Sequence, residues 1–203
     1  MSLPDGLSFE DATPFCCAGL TTYAGLLNGG IAPGKRAAIV GIGGLGHLAI
    51  PIAKALGAEV IAVTSSADKH DLARELGADH VVTGGEGAGE AIAALGGADV
   101  VLNTATSMAP LAHLHAGLRP LSRIVLAGNG PEPAPIPARA LGRRQAAILG
   151  SFIGSRQQLA DLFDLALTAG IRPIIERYAM SEVDAIHDRL RANDVRFRAV
   201  MTP

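Results

Sequence analysis

Apolar residues along this chain gather in two alternating patterns: short unbroken runs, and longer stretches in which they recur every three or four positions. The unbroken runs predict strands at Ala37–Val40, Val60–Val63, His80–Val82, Val100–Asn103, Ile124–Leu126 and Ala146–Ile153. After the first of these, Leu45, Leu48, Ala49, Ile52, Ala53 and Leu56 line one helical face that ends at Gly57. Pro51 lies inside that helix and predicts a slight kink, not a break, because the pattern resumes unshifted. Ser66 reads as the N-cap of a second helix through Leu72, Ala73 and Leu76, stopped by Gly77. Shorter helical patterns cover Glu86 to Leu95 and Met108 to Leu118, the latter with Met108, Leu111, Ala112, His115 and Leu118 on one side. Gly128 to Pro137 is rich in glycine and proline and predicts a loop. Ser155-x-x-Gln158 is a capping box opening a helix through Leu159, Leu162, Phe163 and Ala166, stopped at Gly170. A strand at Ile174–Tyr178, a helix from Ser181 and a strand at Val195–Met201 complete the chain. Strands alternating with helices predict an α/β fold with a parallel sheet.

Composition narrows the class. A chain of 203 residues, 49% hydrophobic and 18% charged, suits one globular domain with appendages. A net charge of −2 with scattered basic residues makes no case for nucleic acid. No apolar stretch approaches the ~20 residues that cross a bilayer, and the N-terminus lacks the basic and apolar regions of a signal peptide. The two cysteines, Cys16 and Cys17, are neighbours and poorly placed for a disulfide, so a reduced, cytoplasmic setting is expected.

The first strand runs into Gly41-x-Gly43-x-x-Gly46, with Gly44 and Leu45 between, and a helix follows at once. Strand, glycine turn and helix in that order are the setting in which this motif means dinucleotide binding, on a doubly wound, six-stranded Rossmann sheet of order 3-2-1-4-5-6. The first glycine makes the turn, the second admits the pyrophosphate to the backbone, and the third lets helix pack on strand. The second strand ends Val63-Thr64-Ser65-Ser66-Ala67-Asp68-Lys69. It lacks the acid at its tip that binds a ribose 2′-hydroxyl, and its hydroxyls and lysine suit a 2′-phosphate, so NADP is favoured over NAD. Glu59 and Asp68 are placed away from the ribose by this reading. Thr64–Ser66 would cap the next helix in either case.

Gly41-Ile42-Gly43-Gly44-Leu45-Gly46-His47, with Cys17-Ala18-Gly19-Leu20-Thr21-Thr22-Tyr23 upstream and Gly150-Ser151-Phe152-Ile153-Gly154-Ser155 downstream, resembles the zinc-dependent medium-chain alcohol dehydrogenases. The similarity is greatest to their NADP-dependent cinnamyl-alcohol-dehydrogenase-like aldehyde reductases and spans about Leu7 to Met201. It implies a cofactor domain over residues 18–154, with 1–17 and 155–203 belonging to an otherwise absent GroES-like catalytic domain. It implies cofactor contacts at Thr21, Thr104, Ser151, Phe152, Ile153 and Arg198, and a 2′-phosphate site at Thr64, Ser65, Ser66 and Lys69. Cys17 matches one catalytic zinc ligand. A catalytic zinc takes three protein ligands, and no Cys-x-x-Cys or His-x-x-His spacing accompanies Cys17, so zinc is expected in the complete enzyme and not in this chain alone. Cys16 is expected to be small and buried; His113 and His115 should point to different faces.

These features predict the cofactor-binding part of an oxidoreductase that moves a hydride between NADP(H) and an alcohol or aldehyde, inactive by itself. The alternatives are a non-catalytic NADP(H) sensor or assembly module and, more remotely, a methyl-donor-binding domain, which would want an acid at the end of the second strand. The run 146–153 is apolar on both faces, free of proline and lysine, and lies at a sheet edge, which predicts a homodimer through that edge.

Overall fold

A computed structural model describes residues 2–128, 130–192 and 194–203. Asn129, inside the predicted loop, lies outside the described residues. Six parallel strands form the central sheet: β1 (Arg36–Val40), β2 (Glu59–Thr64), β3 (His80–Thr83), β4 (Ala98–Asn103), β5 (Leu118–Leu126) and β6 (Ala147–Gly150). Their order is β3-β2-β1-β4-β5-β6, as the doubly wound reading requires. The central strands β1, β2 and β4 bury both faces, and alternate residues of the sheet feed two separate cores. Ile39, Val60, Ala62, Leu102 and Val125 face one side; Val40, Ile61, Val63, Val101 and Ile124 face the other.

On the first side lie α1 (Phe9–Pro14), a π-helical turn at Phe15–Gly19, α2 (Leu20–Asn28), α3 (Gly46–Ala55) and α4 (His70–Glu75). The second side is covered by α5 (Ala88–Ala94), two 3₁₀ turns at Ala109–His113 and His115–Gly117, and α6 (Ala138–Arg144). Helix α7 (Arg156–Ala169) opens on the predicted capping box, with the Ser155 hydroxyl accepting from the Gln158 amide and the Gln158 side chain accepting from the Ser155 amide. It returns to the first side, where Leu162, Phe163 and Ala166 enter the core and Phe163 meets Phe15 edge-on at 6.4 Å. A parallel pair, β7 (Ile175–Ala179) and β8 (Arg198–Thr202), forms a second small sheet bridged by α8 (Val183–Arg191).

Several local expectations are corrected. The stretch Met108 to Leu118 is not an α-helix. Met108, Leu111 and Leu114 are all buried at intervals of three, which suits 3₁₀ turns, and the N-cap position of the first turn is Met108, whose side chain caps nothing. Ser66 does not cap a helix with its side chain: its own N–H is taken by the Thr64 hydroxyl at 3.2 Å, and a 3₁₀ turn at Ala67–Lys69 precedes α4. Strand β6 ends at Gly150, short of the Ile153 expected, and Ile153 takes a left-handed conformation with φ 52°. Cys16 is exposed. Pro51 is accommodated without interrupting α3.

Candidate functional site

The turns after β1 and β2 line one crevice, and the end of β4 packs against the first of them through Thr104. Gly41 has φ 89°, a conformation that an L side chain rarely adopts. Gly46 has no room for anything larger: a Cβ there would lie 1.9 Å from the Gly41 carbonyl oxygen. Gly43 is the reverse case, with nothing within 4 Å of the place its Cβ would occupy, so its backbone stands open to a ligand. Leu45 is the N-cap residue of α3. The third glycine thus closes the turn on itself and the second leaves it accessible, a division of labour suited to a pyrophosphate at a helix start.

Thr104 braces this turn. Its hydroxyl lies 2.9 Å from the Val40 carbonyl and 2.8 Å from that of Gly41, so its one proton is shared between two main-chain acceptors. Thr64 is buried at the tip of β2 and its hydroxyl holds the Ser66 amide. Ser65 beside it is exposed, and Ser66 and Lys69 line a cavity of about 730 Å³ with Gly43 and Gly44. Asp68 also lines that cavity, although the sequence pattern placed it away from the ribose.

The opposite wall comes from the far end of the chain. Arg189, Asp194, Arg196 and Phe197, all in or after α8, face the glycine turn. Arg198 lies directly on it: its Nη1 and the Phe197 carbonyl oxygen are each 3.0 Å from where a Gly44 side chain would begin. Phe197 stacks on His47 with ring centroids 4.9 Å apart and planes at 19°. The His47 ring is fully buried, and its Nδ1, 3.0 Å from the Gly43 carbonyl, donates to it. Burial pushes the imidazole from its ordinary 6.5 to about 4, against hydrogen bonds to the Gly43 and Gly44 backbone, with the Arg198 charge adding to the depression. His47 is therefore neutral at physiological pH.

A second opening of about 420 Å³ is lined by Met108, Gly128, Glu132, Ser151 and Phe152. The Glu132 carboxylate accepts from the Met108 amide at 2.8 Å, a hydrogen bond that holds its pKa below the usual carboxylate value. Ser151 is buried and accepts from the Asn28 amide at 3.3 Å; Phe152 is 78% exposed. The buried Oδ1 of Asn103, at the end of β4, and the buried Nε2 of His47 have no partner within the described residues. Thr21 is buried in α2.

Structure thus brings Gly43, Gly44, Ser66 and Lys69 to one crevice, with Gly41, Leu45 and Gly46 in the turn that borders it and Thr104 and Arg198 against that turn, and gives Thr64 and Thr104 bracing roles. Sequence reasoning gave no role to Phe197 and Arg196, whose only local signal was an aromatic between two arginines near the C-terminus, or to Arg189 in α8, which carried none. Zinc is a different matter. Cys17 is exposed on the π-helical turn, and no group of three His, Cys, Asp or Glu side chains placed to hold a metal occurs among the described residues. The residues present do not fit a catalytic zinc site. Among the described residues no helix is long and apolar enough to cross a membrane.

Comparisons with known proteins agree with this geometry. The zinc-binding dehydrogenase family model matches residues 44–168. A probable formaldehyde dehydrogenase of Bacillus subtilis is 38% identical over 200 residues, covering 98% of this chain and 57% of that protein. An NADP-dependent alcohol dehydrogenase of Mycolicibacterium smegmatis is 32% identical, covering 99% of this chain and 57% of that protein. Among solved structures, a cinnamyl alcohol dehydrogenase of Sorghum bicolor superposes with a TM-score of 0.87 at 33% identity, covering 99% of this chain and 57% of that one. An acetophenone reductase of Geotrichum candidum in complex with NAD gives 0.84 at 26% identity, covering 100% of this chain and 58% of that one. The chain spans less than two thirds of the length of each of these proteins. With a six-stranded parallel sheet, a glycine turn that admits no side chain at Gly46 and a family match over most of that sheet, the chain belongs to the zinc-binding dehydrogenases.

Proposed function

We propose that this chain is the cofactor-binding part of an oxidoreductase that exchanges a hydride between NADP(H) and an alcohol or aldehyde in the cytoplasm. The observation that carries the cofactor choice is the wall of the crevice beyond β2, where Ser66 and Lys69 stand at the opening and no carboxylate ends the strand. A phosphate on the ribose would find hydroxyl donors and an ammonium there, and Asp68, which also lines the opening, lies in the 3₁₀ turn beyond the strand and not at its tip. Thr21, Ser151, Phe152 and Ile153 are assigned to the nicotinamide end, and Arg198 with Gly43 and Gly44 to the pyrophosphate. Bound there, a nicotinamide supplies or takes the hydride. The residues of this chain bind and orient it: Gly43 leaves the approach open, Thr104 holds the turn, and His47 fills the space beneath it without carrying charge.

The same proposal divides the chain into a cofactor fold at 18–154 and flanking segments, 1–17 and 155–203, that belong with a catalytic domain. Those segments rest on the sheet through Leu7, Phe15, Leu162 and Phe163. With Cys17 as its single zinc ligand, the chain by itself reduces no aldehyde. It pairs with a second copy along β6, whose outer side carries no neighbouring strand among the described residues and whose Ile148 is exposed.

Titration with NADPH and NADH, followed by nicotinamide fluorescence, tests the reading. NADPH should bind more tightly; equal affinities would overturn the NADP assignment. Zinc-dependent aldehyde reduction by the purified chain would overturn the statement that it is inactive alone. A strictly monomeric mass at high concentration would remove the dimer.

A further inference from the structure

We propose that Arg196 is a second cation for the phosphate on the adenosine ribose, facing Lys69 across the crevice and helping to set the preference for the phosphorylated cofactor. The inference rests on the NADP reading above and adds to it a residue from the opposite end of the chain.

The crevice has two walls of different origin. Ser66, Asp68 and Lys69 come from the turn after β2, and Arg189, Asp194 and Arg196 from the segment between α8 and β8. Charge alone does not mark it for a phosphate. Lys69, Arg189 and Arg196 are balanced by Asp68, Asp194 and Glu176, which also lines it. What distinguishes the groups is which of them remain available. Arg189 is engaged on both acids of its own wall: its Nε lies 3.0 Å from Asp194 and its Nη2 3.4 Å from Glu176. Glu176 is further held by the Tyr178 hydroxyl and by the main-chain N–H of Arg196. Neither Lys69 nor the Arg196 guanidinium forms an ion pair among the described residues. The acids of the C-terminal wall are therefore spoken for and Arg196 is the cation left over there, while on the β2 wall Lys69 and its neighbour Asp68 both stand outside any ion pair among the described residues.

Arg196 is also positioned. Its guanidinium carbon lies 6.0 Å from the centroid of the Phe197 ring, Phe197 stacks on His47, and His47 is tied to the Gly43 carbonyl. These contacts in series register the arginine to the glycine turn. A guanidinium set over a ring keeps its in-plane N–H donors free, and those donors fit phosphate oxygens. Phe197 has φ 68°, an uncommon conformation for an aromatic residue. That turn of the backbone sends the flanking arginines to different places: Arg198 onto Gly44, and Arg196 into the cavity shared with Ser66 and Lys69. One arginine serves the pyrophosphate and the other the ribose phosphate.

The test uses the whole chain and its Arg196→Gln, Arg196→Lys and Lys69→Gln variants. Dissociation constants for NADPH and NADH are read by nicotinamide fluorescence, and displacement by adenosine 2′,5′-bisphosphate is compared with displacement by adenosine 5′-monophosphate. Arg196 is exposed and its bond to Glu176 is made by the main chain, so the substitutions leave the fold intact, which circular dichroism verifies. Arg196→Gln should lower the preference for NADPH about tenfold, through NADPH alone, with part of it restored in Arg196→Lys. The bisphosphate should lose its advantage in parallel. An unchanged preference in Arg196→Gln, or equal weakening of both cofactors, overturns the proposal while leaving the NADP reading intact wherever Lys69→Gln still lowers the preference. If the unmodified chain fails to bind NADPH, or binds both cofactors alike, the NADP reading fails and this inference falls with it.

Discussion

The two ends of the central sheet are built from the same strands and do opposite things with their polar groups. At the amino end, charges are matched. Arg36, the first residue of β1, meets Glu59, the first of β2, at 2.6 Å, and Glu59 also lies 3.0 Å from His80, the first of β3. Asp79 takes Lys54 at 2.8 Å and the Val60 amide at 2.7 Å, while Asp99 takes the Arg36 amide at 2.9 Å and Arg119 at 3.0 Å. At the carboxyl end β1 runs into Gly41, β2 and β3 finish in threonine and β4 in asparagine, and Lys69 and Arg196 form no ion pair among the described residues. Side-chain donors and acceptors that satisfy one another leave nothing for a ligand. The comparison teaches that the ligand-binding end of a doubly wound sheet is recognisable by what remains unpaired there as much as by its glycines.

The carboxyl end is most vulnerable within the glycine turn itself. In Gly46→Ala the new methyl group would lie 1.9 Å from the Gly41 carbonyl, so the turn must open and α3 must shift. A loss of about 3 kcal/mol or more in urea unfolding is expected, together with loss of NADPH binding. Gly43→Ala is the control. Its methyl group meets nothing within 4 Å, so stability should hold within about 0.5 kcal/mol while NADPH binding weakens. If both variants lower stability alike, Gly43 is not the open position of the turn.

The next effect is in acid. His47 is held near 4 against an ordinary 6.5, so the unfolded chain binds its proton more readily than the folded one. Stability from this group is complete above pH 6.5, declines as pH falls from there to about 4, and levels off below. The whole decline amounts to roughly 3 kcal/mol. Urea midpoints measured across that range should fall in the unmodified chain, and His47→Asn should flatten the fall. A slope unchanged in the variant would assign the acid sensitivity to other groups.

How much of this was legible in the sequence depends on how local each feature is. The central strands β1, β2 and β4 stood out because a strand buried on both faces is an unbroken apolar run, and the glycine turn because its residues are contiguous. The helix Leu20–Asn28 was not singled out: Leu20 through Leu26 are all buried, so no polar face gives it a period. The Met108 stretch misled because intervals of three and of three to four look alike over so few residues. In the site, Ser66, Lys69 and Arg198 could be named from their motifs. Stacking of Phe197 on His47 could not, since it joins segments from opposite ends of the chain, and no local pattern records which loop will fold back onto the glycine turn.

At the amino end a single charge should matter less. Glu59 is about one third exposed, and hydrogen bonds from Arg36 and His80, opposed by partial burial, hold its carboxyl below the usual value. A carboxylate lowered in this way adds stability above the ordinary carboxylate range, and that stability fades as pH falls through it. Glu59→Gln keeps the shape and removes the charge, and Arg36 retains its bond to the Gly97 carbonyl at 3.2 Å. Because both partners touch water, the loss at neutral pH should be only about 1 kcal/mol. The variant should also lose the Glu59 share of the acid sensitivity, leaving that of His47 in place. NADPH affinity should stay within about twofold, since the substitution lies at the opposite end of β2 from Thr64. A larger change in affinity would mean that the two ends of the sheet are coupled, and that pairing at the strand starts helps to hold the turn that faces the cofactor.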